Sequence, residues 1–339
     1  MGSRVVLVKL AAIGDVAVAC RAVNDFYSRC ELRNGRIELH WIIDHDLVGL
    51  ARALLDPDIQ PIWHTVNSVR IFQGSAVEKA LEALGILKTV AFLRPDHILM
   101  FHRDWRYKAL LRPVIGASLT SVTRDPLHEF VAYQRLFDAL AQRLHLPPRE
   151  LPSHGQIPAS PSGRIGILVG GARSQKVDFA EKRWPRIPEL TRLLLEKTQA
   201  KIVLFGGPDD TAAAAAALDG LSIDGRVENL VGKLTLAEVP ATLAGLDAFI
   251  SIDSGLAHIA AAVMTSKHQR VITLFGPTDP RIWAPLASGN ANTKLHYKAP
   301  PCSPCYSGDG NFKPCRFEGE YFQHCMTGIS AEEVLRSLY

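Results

Sequence analysis

The segment SIDSGLAHIAAAV, Ser251 to Val263, holds the end of a strand, a turn and the start of a helix. Asp247 to Ile252 (DAFISI) is a short apolar run of the kind that forms a buried parallel strand, and Gly255 to Met264 has helical composition. Asp253 and Ser254 are capping residue types, and Gly255 lets another backbone or a ligand approach closely. The free amides at such a helix start make an anion site suited to a diphosphate, which His258, one turn in, could also reach. A capped helix carrying an incidental histidine fits the same residues equally well.

Working outward, the same alternation recurs. Before this segment, Arg164 to Val169 predicts a strand ending at Gly170 and Gly171, Ile187 to Lys197 a helix, and Lys201 to Phe205 a strand ending at Gly206 and Gly207. Thr211 to Leu218 and Glu238 to Leu246 are predicted helices. After it, Arg270 to Phe275 is the last strand of the set and runs into a Gly-Pro turn that presents Thr278 and Asp279. The amino-terminal half repeats the theme. Arg4 to Lys9 is a strand, Ala11 to Asp15 a turn, Val16 to Cys30 a helix, Glu38 to Asp44 a strand, Leu47 to Leu55 a helix and His97 to Met100 a strand. Phe101 to Lys108 is read as a polar loop and Leu127 to Leu144 as a helix. Strands alternating with helices give an α/β fold with parallel sheets. Pro147, Pro148, Pro152, Pro158 and Pro161 mark a linker between the halves. Two such halves leave a cleft, with ligands expected at the carboxyl ends of the strands.

The bulk numbers agree. A chain of 339 residues, 47% hydrophobic, is long enough for two cores. A net charge of +4 is too small to argue for nucleic acid, and it suits anionic ligands or an anionic membrane surface as well as an ordinary soluble surface. Lys9 and Asp15 interrupt the apolar start, which argues against an export signal. A cytoplasmic protein is expected, at the inner face of the inner membrane if its acceptor is lipid-linked, with its thiols reduced.

Four ordered motifs carry a family resemblance: Gly14-Asp15 after the first strand, Lys182-Arg183-Trp184-Pro185, Asp253-Ser254-Gly255-Leu256-Ala257-His258, and Phe275 to Pro280 (FGPTDP). With these the chain resembles the heptosyltransferases of glycosyltransferase family 9. The resemblance implies a GT-B fold with an acceptor domain (1–150), the linker (151–162) and a nucleotide-sugar domain (163–298). It also implies inverting transfer of heptose from ADP-heptose to a lipopolysaccharide-core sugar or a protein hydroxyl, without a catalytic metal. Asp15 matches the family's base, for which a helix-capping aspartate is the alternative. The implied donor-binding residues are Gly171, Lys182, Asp210, Asp253, Ser254, Gly255, Leu256 and His258. Lys176 competes with Lys182 for the phosphate, and Asp209 with Asp210 for the ribose. Ala11 and Ala12 stand where relatives often carry serines, which puts the usual acceptor in question. His102, Arg103 and Arg106 are candidates for an anionic acceptor, with a solvated basic loop as the alternative. A nucleotide-sugar epimerase or hydrolase and a non-enzymatic nucleotide- or metal-binding protein remain rival readings.

Cys302, Cys305, Cys315 and Cys325 form a CxxC…C…C series within a Pro- and Gly-rich stretch, 299–328. In a reducing compartment this reads as a tetrathiolate site for zinc or iron, with free thiols as the alternative. The assigned role is structural or in homo-oligomer formation, away from the chemistry. Residues 329–339 predict a terminal helix capped by Ser330 with Glu333, of the kind that crosses back to the first domain in this fold.

Overall fold

The computed structural model describes residues 2–30, 36–103, 105–114, 116–123, 127–146, 163–172, 178–221, 225–289, 291–306 and 314–339. The chain divides into two compact units, Met1–Gly155 and Gln156–Tyr339. The expected linker, 151–162, and Lys176 lie outside the described residues.

In the first unit the strands are β1 (Ser3–Val8), β2 (Ile37–Asp44), β3 (Ile62–Val66), β4 (His97–Met100) and β5 (Ser118–Ser121). They form one parallel sheet in the order β3-β2-β1-β4-β5. The helices are α1 (Ile13–Arg29), α2 (Val48–Leu54), α3 (Ser68–Gln73), α4 (Ala76–Leu93), α5 (Trp105–Leu111) and α6 (Glu129–Arg143). Val6, Val8, Ile98 and Met100 pack with Ile86 and Val90 of α4 and Leu111 of α5. Each such buried aliphatic side chain contributes about 1.5–3 kcal/mol. Elsewhere in the unit, Phe26 of α1 stacks on Phe137 of α6 at 4.9 Å, and Phe101 meets Tyr133 edge-on at 4.7 Å.

The second unit holds β6 (Arg164–Leu168), β7 (Lys201–Phe205), β8 (Val227–Asn229), β9 (Ala248–Ile252), β10 (Arg270–Phe275) and β11 (Asn292–Tyr297). These are also parallel, in the order β11-β10-β9-β6-β7-β8. Its helices are α7 (Ile187–Lys197), α8 (Thr211–Leu218), α9 (Val239–Ala244), α10 (Gly255–Val263), α11 (Pro280–Trp283), α12 (His324–Thr327) and α13 (Ala331–Arg336).

The structure corrects several expectations. The stretch Phe101 to Lys108 is not wholly a loop, because α5 begins at Trp105 and Arg106 sits on a helix. The sheet of the second unit does not close at Phe275, since β11 pairs beyond β10. The first helix starts at Ile13, which puts Asp15 in its first turn. The capping box Ser330–Glu333 is present, but α13 packs on α7 of its own unit. No helix among the described residues is long and apolar enough to cross a membrane.

Candidate active site

In each unit the sheet order reverses beside the strands that carry the sequence motifs. Chain connections leave in opposite directions at such a point and open a crevice at the carboxyl ends of the strands. In the first unit that place lies between β1 and β4. The loop after β1 carries Lys9 and leads to Asp15, and the loop after β4 carries His102 and Arg103.

The two loops are tied together. His102 Nε2 accepts the Leu10 amide at 3.0 Å, and the His102 ring stacks on Tyr107 at 4.6 Å. The His102 ring therefore braces the loop after β1, with Nε2 taken up by the Leu10 amide. Arg103 Nη2 donates to Glu129 Oε2 at 2.8 Å and to the Leu127 carbonyl. Arg106 is exposed on the first turn of α5.

Lys9 is almost fully buried, and its ammonium donates to Asp15 Oδ2 at 2.6 Å. The same Nζ lies 5.7 Å from the Tyr133 ring centroid. Burial, and after it the negative charge of Asp15, push the Glu129 carboxyl above the usual carboxylate range, while Lys9 and Arg103 act the other way. Burial, with Asp15 and Glu129, pushes the Tyr133 phenol well above its ordinary value. Asp15 is therefore one member of a charged cluster. Lys9 and Glu129 were not singled out from sequence: Lys9 reads as the last residue of a strand and Glu129 as a helix-start acid, and neither has a local signature.

In the second unit the reversal lies between β6 and β9. β6 leads into Gly170 and Gly171, and β9 into Asp253 and α10. Lys182, on a single 3-10 turn (Ala180–Lys182), bridges the two by donating to Asp253 Oδ2 at 2.7 Å. Ser254 caps α10 by accepting the Ala257 amide, and its hydroxyl is 2.8 Å from that of Ser251. Gly255 and Leu256 open the helix, and His258 is half-buried one turn in.

Asp210 is buried and faces the glycine turns. Its carboxylate accepts the amide of Gly171 at 3.1 Å and that of Gly207 at 2.9 Å. A β-carbon at Gly170 would run into Asp210 Oδ1, so glycine is required there. The Asp210 side chain thus latches the ends of β6 and β7, and Asp209 beside it is exposed. Asp279 caps α11 and is paired with Arg281 at 2.6 Å, and the Arg281 guanidinium holds its carboxyl below the usual range. Thr278 Oγ1 is buried with no hydrogen-bond partner among the described residues.

Cys302, Cys305, Cys315 and Cys325 all line one pocket, together with Glu181, Pro277 and His324. The pocket backs onto the candidate donor site. Glu181 precedes Lys182, and its carboxylate accepts the Cys315 amide at 3.2 Å. The amides of Cys305 and Tyr306 donate to the Pro277 carbonyl at 2.9 and 3.0 Å. Gln323 donates to the Ala180 carbonyl, and Trp184 Nε1 to that of Ile329 at 3.0 Å. A β-carbon on Gly276 would stand 3.0 Å from Cys325 Sγ. The cysteine segment therefore packs against the turns that carry Lys182 and Thr278. Burial, then the neighbouring cysteines, push the Cys325 thiol up to about 11. Among the described residues the tight cluster of potential ligand atoms, within 4.8 Å of one another, is a different one: Asp44, His45 and Asp46. The Asp44 carboxylate already accepts the amides of Asp46 and Ser68.

Residues 164–310 match the family described as Glycosyltransferase family 9 (heptosyltransferase). Lipopolysaccharide heptosyltransferase 1 of Escherichia coli K12 is 30% identical over 340 residues, which cover 88% of this chain and 94% of that one. Lipooligosaccharide heptosyltransferase 2 of Haemophilus ducreyi is 37% identical over 110 residues, 31% of each chain, so the match spans about a third of that relative's length. Among solved structures, a glycosyl transferase family 9 protein from Veillonella parvula superposes with a TM-score of 0.66 at 18% identity, covering 99% of this chain and 97% of its own. E. coli heptosyltransferase WaaC with ADP-2-deoxy-2-fluoro heptose gives 0.65 at 19% identity, covering 99% and 98%. The iron-containing dodecameric glycosyltransferase TibC of enterotoxigenic E. coli gives 0.55 at 14%, covering 99% and 76%. The chain has the GT-B fold of these structures. It belongs to glycosyltransferase family 9, the heptosyltransferase family.

Proposed function

We propose that this chain transfers heptose from ADP-heptose to a sugar hydroxyl of a lipopolysaccharide-type acceptor, with inversion at the anomeric carbon. The observation that carries this reading is the bridge from Lys182 to Asp253 at the β6/β9 reversal, which puts a cation beside the amides at the start of α10. A diphosphate asks for that pairing. As the bond from the anomeric carbon to the diphosphate oxygen breaks, negative charge gathers on the departing ADP, and Lys182 and the helix amides offset it. Asp15 takes the proton of the acceptor hydroxyl as that oxygen attacks the anomeric carbon. A relative's structure with an ADP-heptose analogue supports the choice of donor.

The second unit is the donor unit in this reading, with Gly171, Asp210, Ser254, Gly255, Leu256 and His258 around the nucleotide sugar. The first unit holds the base, with Arg103 and Arg106 toward an anionic acceptor. The four cysteines suit a tetrathiolate zinc or iron ion: all four line one pocket, and a cation would neutralise their thiolates. Such an ion would tie the cysteine segment to the turns carrying Lys182 and Thr278. The iron-containing relative supports iron as one candidate.

Calorimetry with ADP-heptose, ADP, UDP and GDP tests the donor assignment. Selective adenine-nucleotide binding, weakened in Lys182→Ala, is expected. Preference for another base would overturn the donor assignment.

A further inference from the structure

Helix α4 is apolar on two opposite sides. One side, with Ile86 and Val90, is buried against the sheet. On the other, Val77, Leu81, Leu84 and Phe92 follow one another at intervals of four, three and eight residues along one stripe, with exposures of 67, 63, 47 and 86%. The stripe is not a frayed end. Ser75 and Glu78 close a full capping box at one terminus, and Arg94 ends the helix in a left-handed conformation just before Pro95. A helix with apolar residues all round belongs inside a core or in contact with lipid, and a core covers only one side of this one.

The neighbouring helices extend the face. α3 and α5 both pack on α4 and add Phe72 and Trp105, exposed at 41 and 63%. Basic residues surround it. Residues 68–112 hold eight lysines and arginines against four acids, an excess equal to the +4 of the whole chain. Lys88 stands within the stripe, and Arg94 at its end and Lys108 and Arg112 in and after α5 are exposed.

We propose that the α3–α4–α5 face docks on an anionic lipid surface, with α4 lying in the plane of the headgroups. Charge chooses the occupant. A second copy seated on this face through a two-fold axis would bring like charges together, and interface cores are depleted in lysine. An anionic bilayer offers apolar depth for Leu81 and Phe92, an interfacial layer for Trp105 and counter-charge for the lysines and arginines. With four charged residues along its length, Glu78, Lys79, Glu82 and Lys88, α4 lies on a bilayer and does not cross it.

The test is co-sedimentation of the full chain with phosphatidylethanolamine–phosphatidylglycerol vesicles and with phosphatidylcholine vesicles, at low and high salt. We expect at least about tenfold stronger partition onto the anionic vesicles, reduced by salt. The double variant Leu81→Glu/Phe92→Glu should lose that binding, and Lys88→Glu should weaken it severalfold. Both changes are on exposed positions, and an unchanged melting curve and circular-dichroism spectrum identify a folded variant. Absence of wild-type binding to anionic vesicles, or full binding by a folded double variant, would overturn the proposal. So would a lipid-free dimer that the double variant converts to monomer, because a second copy would then be the occupant. The readout is independent of which sugar is transferred, so failure of the donor assignment leaves it intact.

Discussion

Lys9 Nζ lies 2.6 Å from Asp15 Oδ2, and the lysine side chain is 4% exposed where the aspartate is 33% exposed. A buried cation therefore holds a carboxylate that remains open to solvent and substrate. Asp15→Ala should cut turnover by about 10²–10⁴, the range expected for loss of a general base, with ADP affinity unchanged. Equal loss of both would remove the base assignment.

The Lys9 contact makes a second, separable prediction. Lys9→Met keeps the apolar stem and removes the cation that holds the Asp15 carboxylate at 2.6 Å. Turnover should fall about tenfold or more with KM for the donor little changed, because the carboxylate loses the charge-assisted contact that aims it. Turnover equal to that of the wild type would remove the positioning role of Lys9.

In the second unit the corresponding pair is Lys182 and Asp253. Lys182→Ala should weaken ADP and ADP-heptose binding at least about tenfold, because a partly buried charge-assisted contact to phosphate is worth more than a kilocalorie. Asp253→Asn should weaken it less if Asp253 only aims the lysine. Isothermal titration of the two variants separates these roles.

Gly170→Ala and Asp210→Asn probe the latch between β6 and β7. The β-carbon of the first would collide with Asp210 Oδ1, and the second removes the charge that binds the Gly171 and Gly207 amides. Each should cost about 1–3 kcal/mol, read from urea midpoints. If Asp210 also meets the ribose, Asp210→Asn will lower nucleotide affinity by more than Gly170→Ala does.

These residues differ in how far they could be read from the sequence. Strands buried on both faces, such as Lys201–Phe205 and Arg270–Phe275, stand out as unbroken apolar runs, and their bounds were predictable to the residue. The edge strands β3 and β11 hold only exposed and half-buried positions and lack such a run. Helix α4 escaped because its second apolar side hides the usual amphipathic contrast. Asp15, Lys182 and Asp253 could be picked out from local motifs. Lys9, Glu129 and the Glu181–Cys315 contact arise where distant segments meet, and no spacing rule encodes them. The cysteine spacing was legible, but its packing against the Lys182 and Thr278 turns was not.

That packing predicts coupling between the cysteine pocket and the donor site. With the proposed ion held by the cysteines, Cys305→Ser or Cys325→Ser should lower metal content, melting temperature and ADP affinity together, since loss of the ion loosens the segment whose Cys305 amide holds the Pro277 carbonyl and whose Cys325 abuts Gly276. Prolonged treatment of the wild type with a strong chelator should reproduce the effect. Loss of metal with donor affinity intact would show the pocket to be a scaffold without influence on the site.

The last helix supplies a pH prediction whose sign can be worked out. Glu333 accepts from Lys298 Nζ at 2.6 Å and from the Ser330 amide, and these contacts, the lysine's first, hold its carboxyl at about 2 against an ordinary value of 4.5. A depressed folded value means the unfolded chain takes up the proton first. The contribution is therefore complete above pH about 4.5 and fades as the pH falls toward about 2. Both side chains are about a third or more exposed, so water and salt screen the pair and the effect is modest. Glu333→Gln should lower stability at neutral pH, and the gap from wild type should close across that acid window. Urea midpoints measured down the window provide the check, and a gap that stays constant would show that the loss does not come from the charge of the carboxylate.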